Sequence, residues 1–248
     1  MSEELTAQTI GMTGFGDDEI EAYLAVPDDD ATTRGSVVVI HHMPGYDSSS
    51  KEIVRKFAAN GYAALMPNLY YRDAPGASPD DAAAAARAKG GVPDERRVGD
   101  VGGAADYLRA LDGANGKVGV IGYCSGGRQS FLAACSLPLD AAVDCYGACI
   151  VNAPPEGMPL KVKPIVGLSE DLSCPLLGLF GADDKFPAPE ETAELSKVLD
   201  GLGKEHEFHT YDGAGHAFFS VNRAAYRVEA ANDGWEKIWD FYGRYLAG

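Results

Sequence analysis

The stretch that decides the fold is KVGVIGYCSGG, residues 117 to 127 of a chain of 248 residues. Its apolar half predicts a strand buried on both faces of a sheet, and the helical pattern that follows predicts an abrupt turn between the two elements. Gly122, Cys124 and Gly126 form the pattern of a nucleophile elbow with cysteine at its centre. Such a turn leaves no room for side chains two positions from the nucleophile. It also places Cys124 beside a helix N-terminus, where partial positive charge favours a thiolate.

The turn has three other possible interpretations. An elbow centred on Ser125 would need glycine at position 123, where the chain has Tyr123. A phosphate loop of the Walker type would end in Gly-Lys-Ser or Gly-Lys-Thr, and this ending is absent. A buried cysteine in a glycine-rich turn remains the plain alternative. The pattern favours Cys124 as a nucleophile.

Strands and helices alternate on both sides of the elbow. Residues 10–26 predict a β-hairpin, residues 98–111 a helix, residues 73–97 a surface excursion without a core element, and residues 150–172 a long irregular connection. The alternation predicts an α/β fold with a mainly parallel central sheet and helices on both faces. No change in composition divides the chain, so we expect one domain over residues 1–248. Further strands are expected in SVVVIHH, AALMPNLY, DAAVDCYG, PLLGLFG and EHEFHTYDG, and further helices in SSSKEIVRKFAANGYA, PEETAELSKVLDGLG and AAYRVEAANDGWEKIWDFYGRYL.

Two later strands end in residues that suit catalysis. PLLGLFG runs into Asp183 and Asp184, and EHEFHTYDG leads to His216. The order nucleophile, acid, histidine is the order of an elbow hydrolase, with the histidine as base and the acid orienting it. Neighbouring carboxylates point in different directions, so only one should reach His216. We favour Asp184 and leave Asp183 as the alternative.

Composition excludes several classes of protein. A formal net charge of −16 argues against nucleic-acid binding and would repel an anionic membrane surface. The N-terminal residues lack the pattern of a secretory signal, and no apolar stretch is long enough to span a bilayer. The cysteines number five and form no CxxC pair, which predicts reduced thiols and a cytoplasmic protein.

With these motifs the chain resembles the dienelactone hydrolase (carboxymethylenebutenolidase-like) family of α/β-hydrolases. The resemblance runs from about residue 10 to the C-terminus and rests on GYCSGG, LLGLFGADDKFPAPE, YDGAGHAFF, NGYAALMPNLYYR and the HHMPG loop. It implies a single-domain α/β-hydrolase fold, no cofactor or metal, and a small-molecule ester or lactone as substrate. For the chain itself it implies a triad of Cys124, Asp184 and His216.

One departure from the family's pattern concerns the loop after the first core strand. The family commonly has His-Glu-x-x-Gly there, and its glutamate helps to control the proton of the nucleophile, whereas here His42 stands in that place. His42 could support a thiolate–imidazolium pair, contact substrate, or only line the pocket. The backbone N–H groups of Met43 and Ser125 are the expected oxyanion donors. The family's use of arginine to bind a substrate carboxylate makes candidates of Arg72, Arg87, Arg96, Arg97 and Arg223.

The sequence thus predicts a hydrolase that opens lactone or carboxylic ester bonds through a thioester on Cys124. Alternatives are a broad carboxylesterase or thioesterase, and a non-catalytic protein of the same fold whose Cys124 is oxidised. We expect a monomer or a small homo-oligomer.

Overall fold

A computed structural model describes residues 5–27, 33–154, 156–157 and 161–248. Eight strands form one sheet in the order β1-β2-β4-β3-β5-β6-β7-β8. All neighbours from β4 to β8 are parallel, while β1 pairs antiparallel with β2 and β2 with β4. The predicted mainly parallel sheet is confirmed. The strands are β1 (Leu5–Thr13), β2 (Glu19–Pro27), β3 (Ser36–Ile40), β4 (Ala63–Pro67), β5 (Val118–Tyr123), β6 (Ala141–Cys145), β7 (Leu176–Gly181) and β8 (His206–Tyr211).

Helices cover both faces of the sheet, as the sequence predicts. Successive side chains of β5 alternate between the faces: Val118 and Val120 join one hydrophobic cluster, and Ile121 and Tyr123 join the other. Burial on both sides explains the uninterrupted apolar pattern of this strand. Helices α3, α4 and α5 contribute to the first cluster and α1 and α6 to the second. The helices are α1 (Ser48–Ala59), α2 (Pro79–Ala88), α3 (Asp94–Arg109), α4 (Ser125–Ala134), α5 (Pro189–Gly201) and α6 (Val228–Tyr245).

The hairpin expected at residues 10–26 is confirmed, with register from Leu5 opposite Pro27 to Thr13 opposite Glu19. The helix expected at 98–111 begins four residues earlier, at Asp94. The expectation that residues 73–97 hold no core element is wrong, because α2 lies there. Ser78 accepts a hydrogen bond from the Asp81 N–H, and proline is compatible with the first helical turn. The helix then buries three alanines against Tyr70 and Val92, namely Ala82, Ala83 and Ala86.

Parts of two expected connections lie outside the described residues. These parts are residues 28–32, which connect the expected hairpin to the expected strand SVVVIHH, and residues 155 and 158–160 of the connection at 150–172. The N-terminal residues that lack the pattern of a secretory signal include residues 1–4, which also lie outside the described residues. Among the helices that the structure describes, none combines the length and the apolar character needed to cross a membrane.

Candidate active site

The elbow between β5 and α4 has the geometry that its glycines predict. Cys124 has φ +57° and ψ −118°, a backbone conformation that residues with side chains rarely adopt. A Cβ added to Gly122 would lie 1.8 Å from the carbonyl oxygen of Gly126, and one added to Gly126 would lie 2.4 Å from the carbonyl oxygen of Ile40. The expected lack of room on both sides of Cys124 is confirmed. Cys124 is partly exposed, whereas the other four cysteines are buried.

His216 lies in the loop after β8 and meets a carboxylate from the loop after β7. Its Nδ1 is 2.9 Å from Oδ2 of Asp184. Asp184 is buried, and its Oδ1 accepts the N–H of Phe186 at 2.8 Å. Asp183 is exposed to solvent instead. Of the two candidate carboxylates, Asp184 is therefore the one in contact with the imidazole.

The same imidazole lines one cavity with the side chain of Cys124. Burial disfavours a charge on His216, but the hydrogen bonds to Asp184 and Cys124 outweigh it and raise the pKa of His216 to about 10. With Nδ1 directed at the carboxylate, Nε2 is the nitrogen left for Cys124.

The first histidine of the loop after β3 has a structural role. His41 is buried, its Nδ1 lies 2.8 Å from the carbonyl oxygen of His42, and its Nε2 accepts the N–H of Leu69 at 3.3 Å. Only the tautomer with a proton on Nδ1 satisfies both partners. Burial lowers the pKa of His41 to about 4. A neutral His41 therefore ties this loop to the segment after β4.

His42 lines the pocket that contains Cys124. Its Nδ1 is 3.4 Å from the hydroxyl of Ser50, and its Nε2 is 3.5 Å from both Asp47 Oδ2 and Arg223 Nη2. Burial lowers the pKa of His42, with Arg223 adding to the effect and Asp47 opposing it. A neutral ring fits the interpretation of His42 as a pocket-lining or substrate-contacting residue, and does not favour a second imidazolium.

The two expected oxyanion donors belong to adjoining segments. Ser125 is the first residue of α4, where an N–H has no acceptor within the helix. Met43 follows β3 and lines the pocket. The elbow packs against this loop, because a Cβ on Gly126 would be 2.4 Å from the Ile40 oxygen and 3.0 Å from the His41 oxygen. That both N–H groups bind one substrate oxygen remains a prediction.

Cys124 and His216 line one cavity of about 530 Å³. Sequence reasoning missed Tyr146, whose ring lies 5.1 Å from that of His216 in an edge-on contact. Tyr146 directly follows β6, so its position at the carboxyl end of a parallel strand was an available signal. No comparable signal marked the aromatic residues that come from the segment after His216 and from α6. The cavity's lining includes His42, Met43, Cys124, Tyr146, His216, Phe219, Arg223, Tyr226 and Trp235.

Of the five candidate arginines, only Arg223 lines this cavity. Arg87 is exposed, and the other three are paired with carboxylates: Arg72 with Asp18 and Asp100, Arg96 with Asp73, and Arg97 with Asp94. Within the residues that the structure describes, no group of three or more His, Cys, Asp or Glu side chains is arranged to hold a metal ion.

Asp144, the last residue but one of β6, is a buried carboxyl that sequence reasoning also missed. Its Oδ1 accepts the N–H of Gly147 at 2.7 Å, and its Oδ2 has no partner among the described residues. Beside it lies a cavity of about 10 Å³, the size of a single water molecule, lined in part by Glu191 and Thr192. Burial raises the pKa of Asp144 to about 7, although the Gly147 hydrogen bond and the charge of His216 oppose the shift.

Because of this shift, the buried Asp144 carboxyl should lower the free energy of unfolding as pH rises, and Asp144→Asn should remove that loss. Between about pH 4 and pH 7 the folded chain keeps a proton that the unfolded chain has lost, so stability falls as pH rises through that window. The amide oxygen of asparagine can still accept the Gly147 N–H. Between pH 4.5 and 7.5, the free energy of unfolding in urea should fall by up to about 4 kcal/mol more for the natural chain than for the variant. Asp183→Asn, at an exposed position, should behave like the natural chain, and equal losses in all three would contradict the prediction.

Comparisons with known proteins identify the family of the chain. The model of the dienelactone hydrolase family matches residues 20–246. A "Putative carboxymethylenebutenolidase" of Yersinia pestis is 32% identical over 92% of this chain and 85% of its own length. The "Carboxymethylenebutenolidase" of Pseudomonas putida is 31% identical over 83% and 84%. The crystal structure of a "Putative Dienelactone Hydrolase" from Klebsiella pneumoniae has a TM-score of 0.85 at 29% identity, covering 98% of this chain and 100% of that one. The chain therefore belongs to the dienelactone hydrolase family.

Proposed function

We propose that this chain hydrolyses lactones and activated carboxylic esters, with Cys124 as nucleophile, His216 as acid and base, and Asp184 orienting the imidazole. The observation that carries the proposal is the position of His216. Its Nδ1 is 2.9 Å from a buried carboxylate, while the thiol of a strained, partly exposed elbow is its other neighbour. Strained backbone of this kind concentrates at functional sites.

The proposed reaction has two halves. The Cys124 thiolate attacks the carbonyl carbon, and the N–H groups of Met43 and Ser125 stabilise the resulting oxyanion. The C–O bond to the alcohol then breaks, and the departing oxygen takes its proton from the His216 imidazolium. A thioester remains, which in a lactone still carries the new alcohol. Neutral His216 next takes a proton from water, the hydroxide attacks the thioester, and the acid leaves as the thiolate is restored beside a protonated His216.

The same groups limit the class of substrate. A thiolate is a better leaving group than an amine anion, so esters and lactones should react and amides should not. The relatives named carboxymethylenebutenolidase support a lactone as substrate. Arg223 is the arginine best placed to receive a substrate carboxylate, since it lines the cavity with Cys124. With a neutral histidine at position 42, a broader carboxylesterase or thioesterase is the second candidate.

Trapping the intermediate tests the proposal. An aryl acetate or an enol-lactone, mixed with the protein and quenched in acid within seconds, should leave an acyl group on the peptide that contains Cys124. The thioester is expected because its hydrolysis is a separate step. Cys149→Ala, which removes a buried cysteine, should label to the same extent. No acyl adduct, together with rapid oxygen addition at Cys124 under peroxide, would instead support the redox protein.

A further inference from the structure

The far end of the catalytic cavity is formed by side chains with no part in the proposed chemistry. Helix α1 runs along one wall, with Ser50 near His42 and Lys56 six residues further on. At about 1.5 Å per residue, the Cα atom of Lys56 lies about 9 Å further along the helix axis than that of Ser50. Trp235 and Asn232 of α6 line the same cavity. The cavity thus contains Cys124 and also extends from His42 along helix α1 to Lys56.

Lys56 is a cation without a carboxylate. Its Nζ lies 3.8 Å from the centre of the Trp235 ring, and among the described residues no acidic group forms an ion pair with it. Its neighbour Arg55 is already bound to Glu52 and to the hydroxyl of Tyr23. Lys56 is half-buried, and burial lowers the pKa of its ammonium group. A partly desolvated charge of this kind gains from an incoming anion.

The setting makes a positive end unusual. The chain as a whole carries a formal net charge of −16, which would repel anionic molecules in general. The cavity nevertheless contains Lys56 and Arg223, neither in an ion pair with a carboxylate among the described residues, whereas its carboxylates Asp47 and Glu52 face His42 and Arg55. Between them the wall includes the rings of Phe219, Tyr226 and Trp235. An elongated substrate with an apolar body and a terminal anion fits this distribution.

We propose that Lys56, held against Trp235, forms an anion subsite, so that the preferred substrates carry a negative group remote from the ester or lactone carbonyl. This inference rests on the proposed function, because it concerns the substrate of the same cavity. Trp235, with Trp239 stacked on its ring, holds the Lys56 ammonium group in place, and Lys56 binds the charged end of the substrate. A lysine ammonium is a point charge, and it therefore selects for charge and distance rather than for a planar, two-pronged contact.

Aryl esters of linear acids measure the preference for a terminal negative charge directly. Each ester ending in a carboxylate is paired with one of equal length ending in a methyl group, and the ratio of their kcat/KM values is followed as the chain lengthens. The ratio should peak at one chain length, and Lys56→Met should lower that peak about tenfold, the effect of one lost charged contact. Lys56→Arg should keep it.

Lys51 offers a matched control on the same helix. Its Nζ also lies over aromatic rings, at 4.2 Å from the centre of Tyr46, but it lines a different cavity. Lys51→Met should leave the peak in place. A peak that survives in Lys56→Met, or one that disappears in Lys51→Met, would overturn the subsite.

Binding separates this inference from the proposed reaction. In a Cys124→Ala background no turnover is needed, and the fluorescence of the two tryptophans reports occupancy. Affinity for the long carboxylate ester should fall with Lys56→Met and remain with Lys51→Met. Loss of affinity without any Cys124-dependent turnover would leave the subsite standing and reject the mechanism. Unchanged affinity in Lys56→Met, together with normal Cys124-dependent turnover, would reject the subsite and leave the mechanism standing.

Discussion

Cys124→Ala should reduce kcat/KM for aryl acetates and enol-lactones by about 10³-fold or more, down to what binding and the oxyanion donors alone provide. The sulfur is the only atom of the elbow turn that can form the proposed thioester, and the strained backbone at φ +57° holds it there. Steady-state hydrolysis at pH 7.5 measures the loss. Alanine removes only a partly exposed side chain, so the fold should persist.

Two further variants make this result specific. Cys149→Ala removes a buried thiol and should retain turnover. Cys124→Ser keeps the shape of the site but replaces the thiol with a hydroxyl, which ionises far less readily, so it should lose most of the activity. If Cys124→Ala hydrolyses these esters at the rate of the natural chain, the elbow is not the source of activity and the mechanism is rejected.

The elbow and the residues at the strand ends could be predicted because each depends on local sequence. Gly122 and Gly126 are fixed by backbone contacts within one turn and with the neighbouring strand. Parallel strands bring their carboxyl ends together, so the residues that follow β7 and β8 had to lie near Cys124. The choice of Asp184 over Asp183 agreed with the observed contact, although adjacency alone could not show which carboxylate is buried.

Other parts of the site depend on packing that no local pattern describes. The protonation of His42 follows from its burial between Asp47 and Arg223, whose positions are 176 residues apart by number. Helix α2 was missed because prolines and glycines at residues 73–97 resemble a loop, although Pro79 stands where a helix accepts it. The local sequence around Lys56 is that of any exposed helical lysine, and only the packing of α6 against α1 places Trp235 next to it.

His216→Gln is expected to have the second large effect, a loss of about 10³-fold in kcat/KM at pH 7.5. Glutamine can still reach Asp184, but it can neither carry the charge that stabilises the thiolate nor pass protons to the alcohol and from water. The loss should therefore appear mainly in kcat, with the affinity for substrate less affected. Steady-state kinetics on the aryl acetate and the enol-lactone give both values.

The pH dependence distinguishes a catalytic imidazole from a merely structural one. In the natural chain the pKa of His216 is raised to about 10, so the imidazolium persists through neutral pH and activity should hold until it loses its proton near that value. Without this charge, hydroxide must remove the thiol proton unaided, and the residual activity of His216→Gln should rise steadily with alkalinity. The gap between the two proteins should consequently narrow from pH 7 to pH 10. A gap that stays constant across this range would show that His216 supports the fold of the site and takes no proton in the reaction.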